Sequence, residues 1–219
     1  MATTTVPNYQ SELSDLRGNL TGMLPAESLK TFDDDANALQ ATHTNPLKLS
    51  VGDTAPSFTL PNAVGNQVSL DELLKQGRVV LTFYRGGWCP YCNLQLSAYQ
   101  RILPELKARG AQLVAVSPQT PDESLNMRDK NNLEFEVLSD RGNQVAASYT
   151  TIFTNGKTPV DAMTALGIDF DSFYADDSRG LPVPAVFIIE QDGSVSFAAT
   201  TGGDYRNRVE PAAILEALG

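Results

Sequence analysis

The strongest constraint on the fold is a buried-strand pattern that ends close to a pair of cysteines. The strand pattern is RVVLTFY at 78–84, which is apolar or β-branched almost throughout. A run of this kind predicts a central strand covered on both faces. Residues 93–109 have helical periodicity, with a kink expected at Pro104. We therefore expect Cys89 and Cys92 at a junction between a strand and a helix.

The rest of the main segment predicts an α/β fold with a central mixed sheet flanked by helices. Strand and helix patterns alternate as in parallel strands with crossovers, at 112–117, 121–131 and 135–138. An Asp-Gly turn then joins strands at 185–190 and 194–200, which predicts an antiparallel hairpin. A final helix is expected after Pro211.

Weaker patterns predict the shorter elements. A small hairpin is expected within 51–70, and short helices are expected at 70–75 and 143–149. The stretch 153–181 shows no strong periodicity, although it is long for a connection in a compact domain. The sequence indicates no element within it, and its role stays open.

Residues 1–48 predict a helical N-terminal extension, and residues 49–219 the main domain. Apolar side chains recur at helical spacing on both sides of Pro25. Each stripe is too narrow for an independently stable helix, so the extension is expected to pack on the main domain or on a second subunit of a homodimer. The chain starts without a basic leader or an apolar run, which favours a cytoplasmic location.

Charge and cysteine use narrow the function. The net charge of −10 and the absence of a basic patch argue against nucleic acid and membrane surfaces as partners. The two cysteines are three residues apart and cannot join distant segments. In a reducing compartment such a pair suggests redox chemistry.

The CPYC motif at 89–92 has the spacing that redox chemistry needs. Free backbone N–H groups and the helix dipole at a helix start favour a thiolate, and the spacing permits a reversible disulfide. Arg85 could stabilise that thiolate or orient a substrate, or it could be an ordinary solvated arginine. Trp88 and Tyr91 could shield the sulfurs and contact a substrate, or simply flank a turn.

Other interpretations of the motif are weaker. Zinc needs four ligands, and His43 is the chain's one histidine, so we expect no metal and no cofactor. A structural disulfide in so small a loop would add only about 2 kcal/mol. Val183 and Pro184 precede a strand, where proline is common. A cis bond between them that faces the thiols is the functional alternative.

Several segments together resemble the alkyl hydroperoxide reductase and thiol-specific antioxidant family, in its peroxiredoxin-like branch. The resemblance runs from about Leu49 to Gly219, and the extension also resembles that branch. The segments are VGDTAPSFTLPNAVGNQVSL, LTFYRGGWCPYCNLQL, VSPQTPDES, LEFEVLSDRGNQVA, LPVPAVFIIEQDGSVSFA and DYRNRVEP. The resemblance implies a thioredoxin fold, reduction of hydrogen peroxide or organic hydroperoxides, and re-reduction by a thioredoxin- or glutaredoxin-type dithiol.

The resemblance leaves the roles of the two cysteines open. The peroxiredoxin motif P-x-x-x-T-x-x-C would place its proline at Arg85, its threonine at Cys89 and its peroxide-reactive cysteine at Cys92. The family's later arginine falls on Pro184, where thioredoxins and glutaredoxins have their cis proline. A thioredoxin-like comparison instead makes Cys89 the attacking thiol and Cys92 the resolving thiol.

Three functions therefore remain as hypotheses. The first is a peroxidase that uses the Cys89 and Cys92 pair. The second is a thiol–disulfide oxidoreductase acting on protein or glutathione disulfides, with a peptide backbone held beside Val183 and Pro184. The third is a redox-sensing binding protein whose interface includes the N-terminal helices.

Overall fold

The computed structural model describes residues 6–219, with helices and strands alternating along most of the chain. The helices are α1 (Tyr9–Met23), α2 (Ala26–Thr42), α3 (Leu70–Leu74), α4 (Pro90–Arg101), α5 (Leu103–Ala108), α6 (Pro121–Lys130), α7 (Ala146–Tyr149), α8 (Lys157–Ala165) and α9 (Pro211–Leu218). The strands are β1 (Thr59–Pro61), β2 (Gln67–Ser69), β3 (Arg78–Phe83), β4 (Ala111–Ser117), β5 (Glu136–Ser139), β6 (Ile152–Thr154), β7 (Gly180–Pro182), β8 (Ala185–Ile189) and β9 (Val195–Thr200). Among these residues, no helix is long and apolar enough to cross a bilayer.

A five-stranded mixed sheet forms the centre, in the order β5-β4-β3-β8-β9. Strands β3, β4 and β5 are parallel, whereas β8 is antiparallel to both β3 and β9. Successive residues of β3 face opposite sides of the sheet. Val80 joins the core cluster on one side, and Val79 and Leu81 join the cluster on the other. The predicted mixed sheet, with a doubly covered central strand, is confirmed.

The helix after the central strand begins at Pro90, three residues earlier than its periodicity predicts. Proline is favoured in a helix's first turn because its missing N–H would have no partner there. Cys89 consequently occupies the N-cap position. The helix is interrupted at Ile102, and α5 begins at the next residue. The break two residues before Pro104 confirms the predicted kink.

The N-terminal helices pack on the main domain. Helix α1 lies against α4, and α2 lies against α8. Tyr9 is fully buried, and its hydroxyl donates a hydrogen bond of 2.8 Å to the Arg206 carbonyl. Tyr9, Leu13 and Ala36 belong to the same apolar cluster as Leu96. Of the two packing surfaces predicted for the extension, the main domain is the one it contacts here.

The segment 153–181, for which the sequence indicated no element, contains regular structure. The segment contains α8, a 3₁₀ turn at Phe170–Phe173 and most of the two-stranded antiparallel sheet formed by β6 and β7. Helix α8 spans only nine residues, and its buried face consists of Pro159, Val160 and Met163. So short an apolar stripe gives little periodicity, and the two strands have three residues each.

The predicted helix at 143–149 is shorter than expected. Asn143 adopts a left-handed backbone conformation, with φ of 57°. An α-helix cannot pass through such a residue. The segment is therefore divided into a 3₁₀ turn at Arg141–Asn143 and helix α7.

Candidate active site

The two cysteines lie where β3 leads into α4. Cys89 is 1% exposed and Cys92 is fully buried, and both are free thiols. The side-chain amide of Asn93 donates to the carbonyls of Gly87 and Cys89, at 2.7 and 2.8 Å. These bonds hold the turn that carries the first sulfur. The sequence prediction of a cysteine pair at a strand–helix junction is therefore confirmed.

Two buried arginines approach the sulfurs from different parts of the chain. Arg208 Nη2 lies 3.3 Å from Cys92 Sγ, and Arg85 Nη1 lies 4.0 Å from Cys89 Sγ. Arg208 also donates from Nε to Gln95 Oε1 at 2.7 Å and from Nη1 to backbone carbonyls, including that of Tyr205. These contacts fix the guanidinium beside Cys92. Each sulfur thus has its own cation.

The environment divides the charge unequally between the thiols. Burial would raise the pKa of Cys92, but a hydrogen bond from the Cys89 thiol, then Arg208 and Arg85, outweigh it, so the pKa lies well below its ordinary value. Burial and the neighbouring Cys92 raise the pKa of Cys89 well above its ordinary value. These opposite shifts favour a thiolate on Cys92 over one on Cys89.

Aromatic side chains surround Arg85. Its guanidinium carbon lies 3.7 Å from the ring centre of Tyr205 and 4.8 Å from that of Trp88. Trp88 Nε1 donates to the Tyr174 hydroxyl at 2.6 Å, and that hydroxyl donates to the Arg85 carbonyl at 2.9 Å. Arg85 is only 3% exposed, so it is not the solvated surface arginine that the sequence left as an alternative.

A cavity of about 440 Å³ opens onto Cys89. Arg85, Trp88 and Tyr91 line it together with this cysteine, so the structure brings four of the predicted site residues to one place. Other lining residues come from α1, α2 and α8, and most are apolar. Cys89 lines this cavity, whereas Cys92 is not among the lining residues.

Of the two alternatives for Val183 and Pro184, the cis bond is wrong, because the described residues contain no cis peptide bond. Pro184 stands just before β8, where a missing N–H breaks no sheet hydrogen bond, so a trans proline fits. The Val183 N–H donates to the Thr151 carbonyl at 2.9 Å, and the Val183 carbonyl accepts from Thr150 Oγ1 at 3.0 Å. Both backbone groups of Val183 are thus used internally.

Sequence reasoning missed Arg208, and it assigned no role to Tyr174 or Tyr205. Arg208 follows Cys92 by 116 residues, and it lies in DYRNRVEP, which contributed only to the family resemblance. An arginine within so polar a segment gives no sign of burial. Among residues 6–219, no three His, Cys, Asp or Glu side chains are grouped closely enough to hold a metal ion.

The fold and the cysteine pair define a thioredoxin-fold thiol redox protein. Residues 51–198 match the model of the AhpC/TSA family. A Mycobacterium tuberculosis protein named as a peroxiredoxin is 31% identical over 153 residues, which cover 70% of this chain and 94% of the relative. The chain therefore belongs to the AhpC/TSA family, and the predicted assignment to peroxiredoxin-like thiol peroxidases is confirmed.

Other relatives agree with this assignment. Peroxiredoxin Bcp of Escherichia coli is 35% identical over 105 residues, which cover 48% of this chain and 65% of that protein. The crystal structure of peroxidoxin BcpB from M. tuberculosis superposes with a TM-score of 0.60 at 21% identity, over 78% of this chain and 96% of that chain. At that identity the superposition shows the fold, and it confirms the predicted thioredoxin-like architecture.

Proposed function

We propose that this protein reduces peroxides through attack by Cys89 and resolution by Cys92. The observation that carries the proposal is the arrangement of the pair: Cys89 lines a cavity, while the more acidic Cys92 lies behind it beside Arg208. A nucleophile must reach its substrate, and the cavity gives Cys89 that access. The two thiols are coupled and share one proton, so the adjacent Cys92 thiolate can take that proton as Cys89 attacks.

The first step transfers a proton within the pair. Cys89 gives its proton to the neighbouring Cys92 thiolate, with which its titration is coupled. The resulting Cys89 thiolate attacks the terminal oxygen of the hydroperoxide, so that an S–O bond forms and the O–O bond breaks. The alkoxide, or hydroxide from hydrogen peroxide, takes the proton from Cys92. Cys89 is now a sulfenic acid, and Cys92 is again a thiolate.

The second step joins the two sulfurs. The Cys92 thiolate attacks the Cys89 sulfur, the S–S bond forms, and hydroxide leaves and becomes water with a proton from solvent. An external dithiol of the thioredoxin or glutaredoxin type then reduces the disulfide through a mixed disulfide. Arg208 stabilises the Cys92 thiolate before and after the first step, and Arg85 stabilises Cys89 during the attack.

The oxidoreductase hypothesis receives less support from the geometry. It requires a peptide backbone to bind beside Val183, but the N–H and carbonyl of that residue are bonded to Thr151 and Thr150. The redox-sensing hypothesis would require negligible turnover together with a change of oligomeric state or partner affinity on oxidation.

Stopped-flow reaction with hydrogen peroxide tests the proposal in the wild type, Cys89→Ser, Cys92→Ser and the double variant. We expect the wild type to react at least about 10²-fold faster than a free thiol. Cys92→Ser should react more slowly because it lacks the base, and dimedone should trap a sulfenic acid on Cys89. Cys89→Ser should be no faster than a free thiol, and the double variant should be inert.

Two other outcomes would overturn different parts of the proposal. Rapid reaction of Cys89→Ser, with dimedone trapped on Cys92, would reverse the two roles and leave the peroxidase function standing. Free-thiol rates in the wild type and both single variants would exclude the peroxidase function. Rapid reduction of a small disulfide by that same wild-type sample would then favour the oxidoreductase.

A further inference from the structure

We infer that helices α1 and α2 form a specificity wall that selects hydroperoxides carrying a bulky apolar group. The inference rests on the proposed function, since the cavity beneath this wall opens onto Cys89. In this inference the N-terminal helices bind the apolar group of the hydroperoxide, while the peroxide group lies at Cys89.

The two helices supply a largely apolar side of the cavity. Their lining residues, with Leu24 from the turn between them, are Arg17, Leu20, Met23, Leu24, Leu29 and Phe32. A second apolar group of lining residues comes from α8 and the turn after it, namely Pro159, Met163, Leu166 and Ile168. The same cavity reaches Cys89 and Arg85. A ligand whose peroxide group lies at Cys89 would therefore place the rest of its structure against these apolar side chains.

The wall lies outside the part of the chain that matches the family. The AhpC/TSA match covers residues 51–198, whereas α1 and α2 end at Thr42. The cysteines, Arg85 and α8 all lie inside the matched range. The N-terminal helices therefore add one side to a cavity that is otherwise lined by the matched range and Tyr205.

The size of the cavity exceeds what hydrogen peroxide requires. A water molecule takes up about 30 Å³ in the liquid, and hydrogen peroxide is only slightly larger. The cavity of about 440 Å³ falls in the range of pockets that bind whole organic ligands. Hydrogen peroxide would leave most of the apolar surface in contact with water, whereas a bulky apolar substituent would cover it.

The charge of the wall also favours an apolar group. Arg17 is its cation, and both of its terminal nitrogens are paired with Asp33, at 2.6 and 2.9 Å. Its Nη1 also donates to the Tyr91 hydroxyl at 3.2 Å. Because its charge is already paired, this guanidinium attracts an anionic group on a substrate only weakly. The other residues of the wall are apolar.

Contacts from the C-terminal segment fix the position of the wall relative to the cysteine site. The Tyr205 hydroxyl donates to the Phe32 carbonyl at 2.7 Å, and the ring of Tyr205 lies against the Arg85 guanidinium. Arg206 Nη1 donates to Asp33 Oδ1 at 2.9 Å. One C-terminal segment thus contacts both the wall and the arginine beside Cys89, which pre-organises the cavity for its ligand.

Selectivity between two peroxides provides the first test, with cumene hydroperoxide as the bulky apolar substrate and hydrogen peroxide as the small one. We expect Leu29→Gln and Leu24→Gln to lower kcat/KM for cumene hydroperoxide about tenfold and that for hydrogen peroxide less than twofold. Ala38→Gln is the matched control, because this exposed position on α2 is not among the cavity-lining residues. It should change neither value.

Equal losses for both peroxides, or no loss for either, would overturn the inference. The proposed peroxidase function would still stand, because it depends on the activity of the wild type with hydrogen peroxide.

Binding of the product alcohol provides a second test that does not depend on turnover. Trp88 is the chain's one tryptophan and lines the cavity, so its fluorescence should change when 2-phenyl-2-propanol, the alcohol product, is added. Leu29→Gln should weaken that titration about tenfold, and Ala38→Gln should not. An unchanged titration in Leu29→Gln would also overturn the inference.

Discussion

Arg208 and Cys92 form a buried contact between the C-terminal segment and the first turn of α4, with 3.3 Å between Nη2 and Sγ. The same guanidinium binds Gln95, which is also on α4. The residue is therefore positioned by the helix that carries the sulfur. This arrangement places a permanent positive charge beside a thiolate from which water is excluded, where electrostatic stabilisation is strongest.

Arg208→Met should shift the thiolate titration of the reduced protein to higher pH. The pKa of Cys92 lies below its ordinary value in part because of Arg208, so its thiolate survives acidification down to that lowered pKa. Without the guanidinium it should protonate at a higher pH. We expect peroxide reactivity at neutral pH to fall on the order of 10²-fold. Absorbance of the thiolate at 240 nm, followed against pH, measures the shift.

Arg208→Lys separates charge from packing. Lysine keeps the positive charge but cannot reproduce the planar fork that binds Gln95 and the backbone carbonyls. Its titration should fall between those of the wild type and Arg208→Met. A thiolate titration that is the same in all three proteins would contradict a role for Arg208 in stabilising the charge.

Gly86→Ala should disturb the aromatic group above Arg85. A Cβ at Gly86 would lie 2.6 Å from Trp88 Nε1 and 2.9 Å from the Tyr174 hydroxyl, the two atoms of one hydrogen bond. We expect the free energy of unfolding to fall by about 1–3 kcal/mol and the Trp88 emission to shift to the red. Gly87→Ala is the matched control, because its Cβ would have no contact closer than 3.4 Å. Equal effects of the two substitutions would refute this explanation.

Much of the sheet could be predicted from the sequence because its strands are buried over their whole length. The run at 78–84 contains six successive residues, 79–84, that are fully buried. Such a pattern is specific to a central strand. The CPYC motif could likewise be placed, because its helix begins with a proline and follows that strand closely.

The rest of the site could not be predicted, because it is assembled by long-range packing. Arg208 is charged and yet buried in the structure, where Cys92, Gln95 and backbone carbonyls bind its guanidinium. Asp33 and Tyr205 likewise acquire their roles from partners far along the chain. Helix α8 also lines the cavity, but its apolar face is too short to be recognised from the sequence. Local periodicity carries no information on such partners.

Glu210→Ala should loosen the start of α1. The two carboxylate oxygens of Glu210 accept hydrogen bonds from the backbone N–H groups of Tyr9 and Gln10, at 2.8 and 3.0 Å. These amides have no partner within the helix, and a negative charge at this end also favours the helix dipole. We expect a loss of about 1 kcal/mol, with faster hydrogen exchange at both amides. Glu216→Ala, on the exposed face of α9, should leave that exchange unchanged.

Asp33→Asn should weaken the link between the two N-terminal helices, and its effect should depend on pH. Hydrogen bonds from Arg17 and then Arg206 hold the pKa of Asp33 below its ordinary value, against burial, which raises it. A lowered pKa contributes stability that is complete above the unfolded-state pKa and is lost as pH falls through the folded-state pKa. The wild type should therefore lose this contribution below about pH 4.

Urea unfolding of the wild type and Asp33→Asn at several pH values measures the difference. At pH 7 we expect the variant to be less stable by on the order of 1 kcal/mol, since the Arg17 side chain is 37% exposed and partly screened by solvent. The gap should narrow as the pH falls below about 4, because the wild-type carboxylate is then protonated. A gap that stayed constant over this range would mean that the carboxylate charge does not contribute. The asparagine would then act through packing alone, and the Arg17 contact would not explain how α1 and α2 are held together.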